Sequence, residues 1–115
     1  MQAGTGHEAR HQVTSAITRS ARDEECQIRI PLVCNRMNET VVFCHANGSA
    51  AGKGLWQKSP DYLGAYGCSS CHDVVDYRVK APAHFTRDDI RLMFAEGIFR
   101  TQRILEEKGL LKVAA

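Results

Sequence analysis

Two cysteine pairs constrain the fold of this chain more than any other feature of its sequence. Cys68 and Cys71 stand at C-x-x-C spacing, and Cys26 and Cys34 enclose seven residues that include a proline. A C-x-x-C pair lets two sulfurs converge on one ion, and a second pair completes the tetrahedral set that structural zinc prefers. The sequence therefore predicts one structural zinc bound by Cys26, Cys34, Cys68 and Cys71.

The size of the chain explains why a metal would help it to fold. Its 115 residues, 43% of them hydrophobic, predict one compact domain with a modest core. A zinc site can contribute folding energy outright in such a domain. Two alternatives stay open for the cysteines. The C-x-x-C pair could be a redox motif, although no βαβ pattern precedes it, or Cys26 and Cys34 could be small buried apolar residues.

The remaining composition bears on location and partners. We find no apolar run near the roughly 20 residues that span a bilayer, and the first residues lack the apolar stretch of a signal peptide. We therefore expect a cytoplasmic protein with reduced cysteines and no membrane partner. The net charge of +2 permits a nucleic-acid partner without requiring one.

The pattern of residues predicts an α+β domain. We expect residues 1–21 to be a flexible lead-in and residues 22–115 to form the domain. Alternation of apolar and polar residues predicts a short strand, bent into a loop, within 26–34. Residues rich in β-branched side chains predict a second strand over 40–45, and a further short strand is expected within 62–67.

Two helices complete the predicted architecture. One begins at the C-x-x-C motif, and the other is the clearest helix of the chain. Thr86 and Asp89 fit a capping box, and Gly109 stops the apolar spacing that follows. We expect this last helix to pack across a small two-stranded antiparallel sheet, with the glycine-rich segment 47–61 as an irregular connection.

Two histidines are candidates for chemistry. His45 ends the second predicted strand, and a histidine is the usual general base near neutral pH. His72 follows the C-x-x-C motif directly and shares a helix face with Asp76, four residues on. Such a pair suits Mg²⁺, Mn²⁺ or Zn²⁺ at a site separate from the structural zinc. The alternatives are a structural histidine at position 45 and a simple surface contact between His72 and Asp76.

Taken in order, these residues resemble the HNH endonucleases, also called His-Me finger or ββα-metal nucleases. The likeness is greater to a small family of phage and prophage nucleases typified by YbcO, and it runs from about Arg22 to Val113. The residues that carry it are Glu25 to Pro31, Val33 to Asn35, Glu39, Thr40, His45, Pro60, Asp61, Cys68, Ser69, Cys71 to Asp73, Asp76 and Arg100 to Gln102.

The resemblance implies roles for individual residues. It makes His45 the general base, Asp61 or Asn47 the residue that orients it, and His72, with Asp76, the site of one catalytic divalent ion. It also implies a phage-related source and hydrolysis of nucleic acid, with DNA preferred. The basic residues that we expect near phosphates are Lys53, Lys58, Arg78 and Lys80.

One position departs from the pattern of the HNH family. Many members have an aspartate before the base histidine as a second metal ligand, and this chain has Cys44 there. Either Asp76 replaces that ligand, or the ion is held weakly, or activity is lost. The rival hypothesis is accordingly a non-catalytic zinc module that binds DNA or a phage protein. Cys44 itself is interpreted as a buried strand thiol in preference to a site residue.

Overall fold

A computed structural model describes residues 15–46 and 60–112 of the chain. In this part of the protein the sheet has two antiparallel strands, β1 (Val42–His45) and β2 (Gly64–Gly67). Val42 lies opposite Gly67 and His45 opposite Gly64. The expected α+β class, with a two-stranded antiparallel sheet and a C-terminal helix, is confirmed.

Three α-helices and one 3₁₀ turn accompany the sheet in the described residues. They are α1 (Ala16–Arg19), the 3₁₀ turn Asn38–Thr40, α2 (Ser69–Val75) and α3 (Arg87–Glu107). The capping box predicted for α3 is present, because the Thr86 hydroxyl accepts the Asp89 N–H at 3.0 Å and the Asp89 carboxylate accepts the Thr86 N–H at 2.8 Å. The helix ends as predicted before Gly109, whose φ is 76°.

The strand predicted within residues 26–34 is wrong. These residues, which we call the cysteine loop, form successive turns, and Arg29 and Leu32 adopt left-handed φ values of 57° and 67°. The N–H groups of Val33 and Cys34 donate to the Ile30 carbonyl within the loop, at 3.1 and 2.9 Å, and the bond from the Gln27 N–H to the Tyr66 carbonyl does not continue as a strand ladder. Proline at position 31 has no N–H to offer a sheet.

Helix α3 and the cysteine loop hold β2 from both sides. The Tyr66 N–H donates to the Thr101 hydroxyl of α3 at 3.0 Å, and the Tyr66 carbonyl accepts the Gln27 N–H of the loop at 2.7 Å. The Tyr66 side chain is fully buried, and the core around it includes Ile28, Ile30, Cys44, Cys68, Cys71 and Leu105. No helix in the described ranges has the length and apolar character to cross a bilayer.

The described chain begins with contacts to this core. Ser20 and Tyr66 share a hydrogen bond of 2.6 Å between their hydroxyls, and Ala21 is buried. Lys108, at the end of α3, reaches back to the Glu24 carboxylate at 2.5 Å. Residues 1–14 of the predicted lead-in lie outside the described residues, and the boundary before residue 22 stays a prediction.

Close approach of α3 to the cysteine loop requires a glycine. A methyl group at Gly97 would lie 3.0 Å from the Gln27 carbonyl oxygen and 3.1 Å from the Ile28 Cα. We expect Gly97→Ala to lower the free energy of unfolding by about 1–3 kcal/mol, as overpacking does, even though alanine favours helix by about 1 kcal/mol. Urea unfolding measures the change, with the exposed neighbour Glu96→Ala as control. An equal or higher stability of Gly97→Ala would contradict this packing.

Candidate metal centre and active site

The structure brings the four predicted zinc ligands together. The Sγ atoms of Cys26, Cys34, Cys68 and Cys71 all lie within 4.8 Å of one another, and those of Cys34 and Cys68 are 3.9 Å apart. Sulfurs around a tetrahedral zinc with bonds of about 2.3 Å lie about 3.8 Å apart. Within residues 15–46 and 60–112, no other group of three or more potential ligands converges in this way. The arrangement fits a metal ion such as zinc.

Local backbone geometry directs the sulfurs inward. Cys68 is the N-cap of α2, and its sulfur accepts the Cys71 N–H at 3.4 Å and the Asn35 N–H at 3.5 Å. In the cysteine loop, the Cys26 sulfur accepts the Arg29 N–H at 3.5 Å. Hydrogen bonds to sulfur and the start of a helix both favour the thiolate that a metal requires.

The crowded sulfurs perturb one another's protonation. A hydrogen bond from Cys71 lowers the pKa of Cys26 to about 4, and this effect exceeds the opposing effect of burial. The same hydrogen bond, together with burial, raises the pKa of Cys71. Burial raises the pKa of Cys34 to about 11. A metal ion that binds here must therefore displace protons, as thiolate ligation generally does.

Asn35 is a residue of this centre that the sequence interpretation did not single out. Its side-chain amide donates to the hydroxyls of Ser69 and Ser70 at 3.0 and 3.2 Å, and its side-chain oxygen accepts the Met37 N–H at 2.8 Å. It therefore ties the end of the cysteine loop to the first turn of α2. An asparagine directly after a ligand cysteine was the available signal, since asparagine often bonds backbone in turns.

His72 and Asp76 lie side by side, as their spacing predicted. The His72 Nε2 is 3.0 Å from the Asp76 Oδ2, and both side chains are about three-quarters buried. Two neighbouring ligands of an octahedral ion with bonds of about 2.1 Å would also lie about 3.0 Å apart. The distance accommodates either a hydrogen bond or a shared ion. Cys71 is fully buried toward the sulfur cluster, so the two candidate sites are separate.

Arg78 adds a cation to this pair. Its guanidinium lies 3.5 Å from the Asp76 carboxylate and 3.4 Å from the His72 Nδ1, and its Nε donates to Asp73 at 3.0 Å. Arg78 was expected from the sequence to contact phosphate, and these bonds within the protein were not expected. They arise because the chain turns sharply after α2, which local spacing alone does not reveal.

His45 and Asp61 are also brought together. The His45 Nε2 is 3.7 Å from the Asp61 Oδ1, and both side chains are partly exposed. The His45 ring packs edge-on against Phe43, with the ring centroids 4.9 Å apart. This contact holds the imidazole at the end of β1. Asn47, the other predicted orienting residue, lies outside the described residues, as do Lys53 and Lys58.

Cys44 directly precedes His45 in β1. It is buried, with 1% of its surface exposed, in agreement with its interpretation as a strand thiol. Burial raises its pKa, and the negative charge of Asp76 raises it further. A thiol held neutral in this way is a poor substitute for an aspartate ligand.

Comparison with known proteins gives one consistent result. A family model described as "Putative nuclease YbcO" matches residues 15–110. Two curated proteins, "Putative nuclease YbcO" of Escherichia coli K12 and "Putative nuclease ybcO" of Enterobacteria phage 82, are each 38% identical over 97 residues, which cover 84% of this chain and 96% of theirs.

A solved structure is similar as well. It is titled "Structure of a putative bacteriophage protein from Escherichia coli str. K-12 substr. MG1655". The TM-score is 0.63 at 34% identity, and the match covers 80% of this chain and 98% of that one. Sequence and fold therefore agree on the same group of proteins.

Proposed function

The chain belongs to the YbcO family, and from this premise we propose that it is a metal-dependent endonuclease of the HNH type that hydrolyses DNA in a phage or prophage context. The family and its curated members carry the name nuclease, and one of them comes from a phage. Nucleic acid is accordingly the substrate. The catalytic metal rests on the site itself, and the HNH type and the preference for DNA rest on the resemblance together with the two histidine pairs.

The observation that carries this proposal is that each of the two predicted histidines lies beside the carboxylate predicted to be its partner. The His45 Nε2 is 3.7 Å from the Asp61 Oδ1, and the His72 Nε2 is 3.0 Å from the Asp76 Oδ2. One histidine is available for a proton and the other for an ion.

In the proposed reaction, His45 removes a proton from water as the water oxygen attacks phosphorus in line with the leaving oxygen. Asp61 orients the imidazole by accepting the N–H of one ring nitrogen, for which the 3.7 Å separation between the His45 Nε2 and the Asp61 Oδ1 has to shorten, and the other ring nitrogen takes the proton. His72 and Asp76 would hold a divalent ion, which would supply stabilisation of the developing phosphate charge and the leaving oxygen. The four cysteines would hold zinc as a structural ion with no part in this step.

Asp76 is expected to be needed for ion binding. Asp76→Ala should weaken Mn²⁺ binding by about tenfold or more, because even outer partners of metal ligands contribute about 10- to 100-fold. Isothermal calorimetry on the zinc-loaded protein measures this. Asp88→Ala is the matched control, since Asp88 is an exposed carboxylate paired with Arg91 on α3. Equal Mn²⁺ affinities in wild type, Asp76→Ala and His72→Ala would place the ion elsewhere.

The rival function is a non-catalytic zinc module that binds DNA or a phage protein. Cys44 in place of the usual aspartate is the observation that favours it. Nicking of supercoiled plasmid with Mg²⁺, Mn²⁺ or Zn²⁺ added in turn separates the two functions. Metal-dependent nicking supports the nuclease, whereas plasmid binding without nicking under every ion supports the module.

A further inference from the structure

Helix α2 ends with a tyrosine where glycine is favoured. The Arg78 N–H donates to the Asp73 carbonyl at 2.8 Å and the Tyr77 N–H to the Val74 carbonyl at 3.1 Å, which together form a Schellman motif. Tyr77 occupies the left-handed position of that motif, with φ at 65°. A bulky residue in this conformation is an outlier. The backbone of the helix end would form more readily with glycine, so the conformation at this position does not itself call for a tyrosine.

The ring forms part of an open cavity. Tyr77 is 57% exposed, and the Arg87 guanidinium carbon lies 3.6 Å from its ring centroid. The cavity has a volume of about 330 Å³, and its walls include Val74, Tyr77, Lys80, Pro82, Phe85 and Arg87. We call it the Tyr77 pocket. It combines an exposed aromatic surface with an apolar floor.

Positive charge dominates this cavity. Lys80 and Arg87 line it, and no acidic residue is among its lining residues in the described chain. The two carboxylates that follow Arg87 are engaged elsewhere, because Asp88 pairs with Arg91 at 3.2 Å and Asp89 closes the capping box. An anionic ligand would therefore meet uncompensated basic side chains at the rim of the pocket.

We propose that the Tyr77 pocket binds an unpaired nucleobase of DNA, stacked on the Tyr77 ring, while Lys80 and Arg87 contact the neighbouring phosphates. Aromatic stacking inside a basic groove is the general way in which proteins hold single strands. Tyr77 directly follows Asp76 in the chain, so the pocket and the proposed ion site share the C-terminal end of α2. The inference rests on the proposed function and makes locally unpaired DNA its substrate class.

The test exploits the backbone of Tyr77. Tyr77→Gly removes the ring and suits the left-handed conformation, so the melting temperature should stay equal or rise. Binding of a fluorescein-labelled oligothymidylate, followed by anisotropy on zinc-loaded protein without added divalent ions, should weaken about 5- to 150-fold, the range for one stacked base. Tyr77→Asn, which also tolerates this φ, should behave alike, and Tyr77→Phe should keep the affinity.

The control is Phe99→Ala, which removes another exposed aromatic ring from the outer surface of α3 and should leave binding unchanged. Wild-type affinity in both Tyr77→Gly and Tyr77→Asn would overturn the proposal, as would an equal loss in Phe99→Ala. Binding of a duplex hairpin as tightly as the single strand would also overturn it. This test measures binding and not cleavage. A protein that binds the oligothymidylate through Tyr77 but never nicks plasmid would therefore support the base-binding site and contradict the nuclease proposal.

Discussion

Cys68→Ser is expected to lose stoichiometric zinc and cooperative folding. Structural zinc sites provide roughly 10–16 kcal/mol of apparent binding energy, whereas small domains are stable by only about 5–15 kcal/mol. Cys68 also accepts two backbone N–H groups and caps α2. Elemental analysis should find well under one zinc per chain, and circular dichroism should show no cooperative thermal transition.

The matched control for this experiment is Cys44→Ala. Cys44 is as buried as the ligand cysteines but lies outside their cluster, so this variant should keep one zinc per chain and lose only modest stability. A Cys68→Ser protein with wild-type zinc content and melting temperature would remove the case for the four-cysteine site.

His45→Ala is expected to reduce plasmid cleavage by about 10²- to 10⁴-fold, the usual contribution of a positioned general base. The zinc content and the affinity for DNA should stay near wild type. The contacts described for His45 are with Asp61 and Phe43, and neither residue belongs to the cysteine cluster or lines the Tyr77 pocket. Single-turnover nicking with saturating metal isolates the chemical step from substrate binding. The contrast between rate and affinity separates lost chemistry from lost structure.

His84→Ala provides the comparison for a histidine outside the site. His84 is exposed and packs against the adjacent Phe85 ring, with centroids 4.2 Å apart, so its removal should leave cleavage intact. Cleavage by His45→Ala at the wild-type rate would refute the role of His45. A comparable loss in both variants would point to a general defect instead.

Local signals predicted much of this fold. The capping box at Thr86 and Asp89 requires only neighbouring residues, and so does the C-x-x-C turn that opens α2. The pairs His45 with Asp61 and His72 with Asp76 were also anticipated, the second by helical spacing and the first by resemblance. These features are encoded over a few residues or follow an established pattern.

The error at the cysteine loop has a definite physical origin. Ile28 and Ile30 alternate with polar residues because both side chains enter the core, and that is the same pattern that a half-buried strand produces. The alternation indicates which side chains are buried, and it does not indicate whether the backbone N–H groups pair with a neighbouring strand. The N–H groups of this segment bond to a sulfur, to turn carbonyls and once to Tyr66, and no sequence pattern reports those partners.

Tertiary contacts account for the other omissions. Arg78 meets His72 and Asp76 only because Tyr77 reverses the chain after α2. Asn35 reaches Ser69 and Ser70 across 34 and 35 residues of sequence. Residues so far apart in the chain show no repeating spacing in the sequence. The hydrogen bonds and ion pairs around each candidate metal site can therefore be identified only from the three-dimensional structure.

The cysteine cluster also determines where this domain can tolerate changes in length. Cys34 and Cys68 are 34 residues apart in the chain, and an ion that joins them closes a loop containing β1 and the whole connection to β2. Loop-closure entropy grows slowly, by only about 0.6 kcal/mol for each doubling of length. Insertions between residues 46 and 60 would therefore alter stability little, since the strands on either side of the segment pair with each other and the ligand cysteines Cys34 and Cys68 lie beyond them. The metal framework and both histidine pairs would keep their positions in such variants.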